Sequence, residues 1–172
     1  MKTYKLLTPG PLTTTDSVKQ EMLFDHCTWD EDYKQITQRI RRELLQLAHV
    51  DETAYTTVLM QGSGTFGVES VISSVIPHDG CLLLLSNGAY GERIAAMCRY
   101  HHISCVHIAQ DYDKIPDRMK AEEALKQHPE ITHIAMIHSE TTTGILNDIQ
   151  SIGELAKTYH KVFIVDAMSS FA

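Results

Sequence analysis

Gln61-Gly62-Ser63-Gly64-Thr65 is the first segment of the chain with the means to hold an anion. It lies between an apolar run and a helical pattern. Glycines there let the backbone approach a ligand, and the amides of Ser63, Gly64 and Thr65 would point out of a helix N-terminus. The hydroxyls of Ser63 and Thr65 add donors. The plainer alternative is a Gly-rich turn that simply begins a helix. Gly62-x-Gly64-x-x-Gly67 also spells a dinucleotide fingerprint, but that motif needs an acid about 20 residues on, at the end of the next strand, to hold a ribose. Ser86-Asn87 stands there instead. Asp166 ends the run Val162-Phe163-Ile164-Val165, where a carboxylate is costly to desolvate unless it meets a cation or donors. In a site it would hold a protonated ring nitrogen or a metal; outside one it is a helix cap or loop acid. Thr141-Thr142-Thr143-Gly144 supplies hydroxyls, or merely finishes a strand before a glycine turn. Tyr90, within Gly88-Ala89-Tyr90-Gly91, is an aromatic plate in tightly turned backbone, or ordinary packing.

One cofactor uses all four features: a phosphate cup, an aromatic plate, a hydroxyl donor and an acid for a ring nitrogen. That cofactor is pyridoxal 5'-phosphate. An acid paired with the pyridine nitrogen keeps it protonated, so that the ring accepts electrons from a carbanion.

The elements that must position these residues are legible in the switching of apolar period, the mark of alternating strands and helices. Thr15 and Asp16 are N-cap types before a short helix to about Phe24, and a longer helix runs from about Tyr33 to Ala48. Five short apolar runs predict strands at Thr56–Met60, Cys81–Leu85, Ile103–Ile108, Thr132–Ile137 and Val162–Val165. Helical segments fall near 65–76, 89–100, 117–127 and 149–160. Each connection is long enough for a crossover helix, which favours parallel pairing. Near-continuous apolar strands fit a sheet covered on both faces. The expected fold is α/β, a doubly wound, mostly parallel sheet with an N-terminal helical appendage. Residues 1–50 form the N-terminal segment and 51–172 part of a larger domain. Ligands of such sheets sit beyond the carboxyl ends of the strands, where the polar segments above are found.

Composition bounds the alternatives. The 172 residues carry 15 basic and 22 acidic side chains, a net charge of −7, with 43% hydrophobic residues. That is ordinary globular composition, long enough for a full core. The acidic balance and the lack of a Lys/Arg stripe argue against a nucleic-acid surface; Arg39, Arg41 and Arg42 read as a solvated helix face. No apolar run approaches the ~20 residues of a membrane span, and residues 1–25 hold no secretory signal. A cytoplasmic location is the expectation. Cys27, Cys81, Cys98 and Cys105 lack metal-finger spacing. His138-Ser139-Glu140 mimics the HxE of zinc deaminases, but no Pro-Cys-x-x-Cys accompanies it, so no metal site is expected.

In order, Leu7-Thr8-Pro9-Gly10-Pro11, Gln61–Thr65, Asn87–Gly91, His138–Gly144 and Val165-Asp166-Ala167-Met168-Ser169-Ser170-Phe171 resemble the class V, fold-type I aminotransferases, and among them the phosphonate transaminases. The resemblance runs from the first residues to the last. It implies that Ser63, Gly64 and Thr65 hold the cofactor phosphate and that Tyr90 stacks on the pyridine ring. It further implies that Thr141 bonds near the ring hydroxyl, Asp166 pairs with the ring nitrogen, and Met168 covers the opposite ring face. Gly10 would border the substrate. The implied reaction moves the amino group of 2-aminoethylphosphonate to pyruvate, giving phosphonoacetaldehyde and alanine, in a homodimer. The alternatives are another class V enzyme, of the alanine–glyoxylate type, or a noncatalytic remnant that binds pyridoxal phosphate or anions.

Members of that family are about twice this long, and their cofactor-anchoring lysine follows the position of Asp166 on a later strand. This chain stops at Ala172. The lysine, the arginine for the substrate anion, the rest of the large domain and the small domain are expected to be missing. Lys114, Lys120, Lys126, Lys157 and Lys161 sit away from the ligand edge. The expectation is a truncated transaminase portion, inactive alone, with a complementary C-terminal chain as a possible partner.

Overall fold

An unbroken apolar strand such as Cys81–Leu85 is satisfied only by cover on both of its faces. The three-dimensional structure, a computed structural model describing residues 4–8, 10 and 12–171, provides that cover. The chain divides into two compact units, one extending to Gln61 and one from Gly62 to Phe171.

The first unit contains α1 (Asp16–Glu21) and α2 (Glu31–Leu47), neither of which has a buried residue. Thr15 occupies the N-cap of α1 without a side-chain cap bond. The strand expected at Thr56–Met60 is not formed. Its backbone is engaged by a side chain instead of a neighbouring strand: Arg41 Nε donates to the Thr57 carbonyl at 2.9 Å and Arg41 Nη2 to Thr56 Oγ1 at 2.9 Å. Val58, Leu59 and Met60 stay exposed.

The second unit runs α3 (Gly64–Val75), β1 (Cys81–Ser86), α4 (Ala89–Tyr100), β2 (Ser104–Ala109), α5 (Arg118–Gln127), β3 (Ile131–Ile137), β4 (Ser139–Glu140), β5 (Ile145–Leu146), α6 (Ile149–Thr158) and β6 (Val162–Asp166). Its four-stranded sheet has the order β2-β1-β3-β6 and every pair is parallel, as the crossover lengths require. β4 and β5 make a separate antiparallel hairpin just past β3. Alternate residues of β1 serve opposite cores. Leu82 and Leu84 join Ile72, Ile76, Ile94 and Cys98 of the α3/α4 layer, while Cys81, Leu83 and Leu85 join Ala121, Leu125, Ile152 and Leu155 of the α5/α6 layer. Each such leucine contributes roughly 1.5–3 kcal/mol, so the sheet needs both helical layers. The α/β, mostly parallel expectation therefore holds.

Strand order reverses between β1 and β3. The chain moves outward from β1 to β2, then returns to β3 on the other side of β1. That is the switch point at which open α/β sheets leave a crevice beyond their strands.

The helix ends account for three of the ten histidines. His49, His102 and His160 have φ of 54°, 56° and 52° and each follows a C-cap. In α6, Lys161 N–H bonds to the Ala156 carbonyl at 2.8 Å and His160 N–H to Lys157 at 3.1 Å. The same pair of bonds closes α2 and α4. This is the left-handed terminus that glycine usually fills, so no glycine marks these ends in the sequence.

His133, buried on β3, is held below the ordinary imidazole value of 6.5 because burial disfavours its charge; a hydrogen bond to the Val75 backbone opposes this only in part. A base with a depressed folded value stays neutral while its unfolded counterpart takes a proton, so stability must fall as pH drops below about 6.5. We expect thermal midpoints between pH 7.5 and 5 to decline more steeply for the native chain than for His133→Gln. Parallel slopes would contradict it.

Candidate functional site

Gly62, with φ 154°, turns the chain into α3, and a Cβ there would lie 2.7 Å from Phe66 Cδ1. Only glycine fits both demands. Ser63 is the N-cap of α3, and its Oγ accepts from Phe66 N–H at 3.2 Å. Accepting that bond leaves the hydroxyl proton of Ser63 free to donate outward. The first amides of the helix, those of Gly64 and Thr65, have no intrahelical acceptor and carry the positive end of its dipole. Hydroxyls, amides and dipole together suit a phosphate monoester.

The other three candidate segments meet this turn in a closed circuit of contacts. A Cβ on Gly64 would stand 3.1 Å from Met168 Cγ, so the loop after β6 lies directly on the start of α3. Asp166 Oδ1 shapes that loop by accepting Met168 N–H at 3.0 Å. Ser169 Oγ then meets Thr141 Oγ1 at 2.8 Å. Next to Thr141, Thr142 Oγ1 accepts from Ala89 N–H at 3.3 Å, which ties the loop after β4 to the first residue of α4. Tyr90 follows, and Arg93, one turn later, places its guanidinium 4.9 Å from the Tyr90 ring centre. Arg93 Nη1 donates to Thr65 Oγ1 at 2.8 Å and closes the circuit. Ser63, Gly64, Thr65, Tyr90, Thr141, Asp166 and Met168 thus line one region at the carboxyl edge of the sheet. Gly10 belongs to the first unit.

Glu140 braces this circuit from beneath. It is fully buried, with Oε1 accepting from the backbone N–H and the hydroxyl of Thr142. Its own carbonyl accepts Gly144 N–H at 2.7 Å. A Cβ on Gly88 would sit 2.7 Å from Glu140 Oε2, so Gly88 is the residue that lets the β1 exit approach this carboxyl. Glu140 is therefore not paired with His138. His138 Nδ1 meets Ser170 Oγ at 2.9 Å and its backbone N–H donates to the Asp166 carbonyl at 2.8 Å, joining the exits of β3 and β6.

Asn87, where a dinucleotide motif would want its acid, is buried and already committed. Its Nδ2 donates to Asn147 Oδ1 at 2.9 Å, and Asn147 Nδ2 donates back at 3.0 Å. Arg93, Ser169 and Glu140 are the members that the sequence analysis missed. A cation three residues after the aromatic plate, on the same helix face, was the available signal for Arg93. Glu140 and Ser169 stood inside motifs already noticed.

Residues 25–172 match the family model described as aminotransferase class-V. The chain is 57% identical over 171 residues to the 2-aminoethylphosphonate–pyruvate transaminase of Lysinibacillus sphaericus, covering 99% of this chain and 47% of that protein. It is 55% identical over 168 residues to the enzyme of the same name from Bacillus cytotoxicus, covering 98% and 46%. The chain therefore spans about half the length of the curated relatives it matches. Among solved structures, pyridoxamine–pyruvate aminotransferase from Mesorhizobium loti superposes with a TM-score of 0.85 at 26% identity, over 98% of this chain and 42% of that one. Alanine–glyoxylate aminotransferase from Nostoc sp. shares the fold with a TM-score of 0.87 at 22% identity, over 99% and 45%. By sequence model and by fold, the chain belongs to the class-V aminotransferase family.

Proposed function

We propose that this chain carries the cofactor-gripping part of a pyridoxal phosphate-dependent transaminase that takes 2-aminoethylphosphonate as amino donor and pyruvate as acceptor. The closed circuit Gly64–Met168–Ser169–Thr141–Thr142–Ala89–Tyr90–Arg93–Thr65 carries the proposal, because it brings hydroxyls, an aromatic ring and the start of α3 together at one sheet edge. The substrate class rests on the names of the relatives at 55–57% identity, and the whole reaction is proposed for the complete protein. Residues 51–172 would belong to its cofactor-binding domain and 1–50 to an N-terminal segment, with Gly10 bordering the substrate. A homodimer and a cytoplasmic location belong to the same proposal; among the described residues no helix is long and apolar enough to cross a membrane.

The residues present fit the group. Ser63, Gly64 and Thr65 would neutralise its phosphate with hydroxyl and amide protons at the positive end of α3. Asp166 has Oδ1 engaged by Met168 N–H, and its second oxygen makes no hydrogen bond among the described residues. That oxygen would hold a proton on the ring nitrogen. Tyr90 would stack on one ring face and Met168 on the other, excluding water. Thr141 would donate to the ring hydroxyl. Once bound, the cofactor supplies an electron sink for the bond-breaking step at the amino carbon.

Equilibrium dialysis of the chain against pyridoxal phosphate tests the proposal. Saturable binding near one equivalent, competed by inorganic phosphate and abolished by Gly62→Val, is expected. Binding that persists unchanged in Gly62→Val, or no saturable binding, would refute it.

A further inference from the structure

Thr65, in the first turn of α3, has no helical carbonyl three or four residues before it, so its hydroxyl bonds elsewhere. Three hydroxyls farther along the helix turn inward: Ser70 Oγ donates to the Gly67 carbonyl at 2.8 Å, Ser73 Oγ to Glu69 at 2.8 Å, and Ser74 Oγ to the Ser70 carbonyl. This back-bonding is the default for a hydroxyl in a helix. Thr65 differs. Its Oγ1 accepts a hydrogen bond from Arg93 Nη1 at 2.8 Å. A hydroxyl has one proton and two lone pairs, so filling a lone pair from a cation leaves the proton to point elsewhere and makes it a stronger donor. The neighbouring unpaired amides at the head of α3 mark where an anion would receive it.

The same guanidinium lies 4.9 Å from the Tyr90 ring centre. Tyr90 and Arg93 are three apart on α4 and share a face, and a cation over a tyrosine ring fixes its tilt and attracts its negative face. One side chain therefore holds two groups, the hydroxyl of Thr65 and the plate of Tyr90, which come from separate elements. Arg93 is not buried, so its two bonds, and not packing, set its conformation.

We propose that Arg93 is a positioning residue for the phosphate end of the cofactor, aiming the Thr65 proton at the phosphate and pinning Tyr90 beside it. This rests on the functional proposal above and gives a role to Arg93, which that proposal used only as a link in the circuit. The charge acts through Thr65, and that distinguishes the proposal from a direct arginine–phosphate contact.

The test compares pyridoxal phosphate with pyridoxal, which lacks the phosphate, by equilibrium dialysis of the native chain, Arg93→Gln, Thr65→Val and the double variant. Arg93→Gln is expected to lower the ratio of the two affinities about tenfold, the scale of one charge-assisted hydrogen bond. In the Thr65→Val background the same substitution should change the ratio less than about twofold, since coupled groups are not additive. An unchanged ratio in Arg93→Gln overturns the inference alone, leaving the cofactor proposal intact. A tenfold fall that persists without the Thr65 hydroxyl also overturns it, in favour of direct contact. Absence of binding by the native chain removes both proposals. The thermal midpoint of each variant shows that the fold is intact, and the change in pyridoxal affinity on Arg93→Gln reads the loosening of the Tyr90 plate separately from the phosphate end.

Discussion

Gly91→Ala should destabilise the second unit by about 1–2 kcal/mol, in the direction opposite to helix propensity. Alanine in a helix interior is favoured over glycine by about 1 kcal/mol, so a gain would be expected if α4 stood clear of the sheet. It does not. A Cβ at Gly91 would overlap Ser86 Cβ and lie 3.1 Å from Ser86 Cα. Ser86 is buried at the end of β1, a central strand flanked by β2 and β3, and its Oγ is bonded to His107 Nε2 at 2.7 Å and to Glu92 Oε1 at 3.1 Å. Neither the strand nor the helix can yield cheaply, because Ile94, Ala95, Met97 and Cys98 anchor α4 in its layer. Overpacking of this kind costs roughly 1–3 kcal/mol, occasionally more, and must exceed the propensity gain here because the obstacle includes backbone. Gly153→Ala is the control. It lies within α6, and its Cβ would be 3.5 Å from two Phe163 ring carbons, an ordinary contact, so this variant should gain up to about 1 kcal/mol. Urea melts of both variants check the pair. Gly91→Ala at or above native stability would mean that α4 packs farther from β1 than described.

That close approach explains which parts of the fold were legible in sequence and which were not. Cys81–Leu85 and Thr132–Ile137 announced themselves because strands buried on two faces need unbroken apolar runs. Thr56–Met60 carries the same signature of β-branched and apolar residues, yet pairs with no strand among the described residues, and its Thr57 carbonyl accepts from Arg41 Nε instead. Period alone does not report which partner a backbone group finds. The ends of α2, α4 and α6 were obscure for a related reason: histidine, not glycine, adopts the left-handed turn. At the candidate site, residue types nominated the individual parts but not their linkage. Ser63 and Asp166 could be nominated from neighbours in sequence. The bonds Arg93–Thr65 and Thr141–Ser169 span 28 residues each and exist only once the sheet order is known. Asn87 shows the converse: a polar residue at a strand exit, it is committed to Asn147 by a reciprocal pair of amide bonds that no local pattern reports.

Asp166→Asn should weaken pyridoxal phosphate binding about 10- to 100-fold while leaving the fold nearly untouched, because the observed role of this carboxylate in its loop and its proposed role toward the ring nitrogen are separable by charge. As an acceptor for Met168 N–H at 3.0 Å, Asp166 needs only an oxygen, and asparagine provides one. As the proposed partner of a protonated ring nitrogen it would need the negative charge, and a hydrogen bond between ionised groups is worth roughly 1.5–3 kcal/mol. Asp166→Ala loses both roles, so it should bind as weakly and also melt earlier, with the Met168 loop released from Gly64. The discriminating ligand is the carbocyclic analogue in which carbon replaces the ring nitrogen. It cannot offer a proton to Asp166, so the native chain should prefer the natural cofactor by about the factor lost in Asp166→Asn, and the variant should bind the two alike. An asparagine variant that retains the native preference would show that the carboxylate serves only its own loop. Met168 and Thr141, held in place by that loop, would then be the groups to test for the ring.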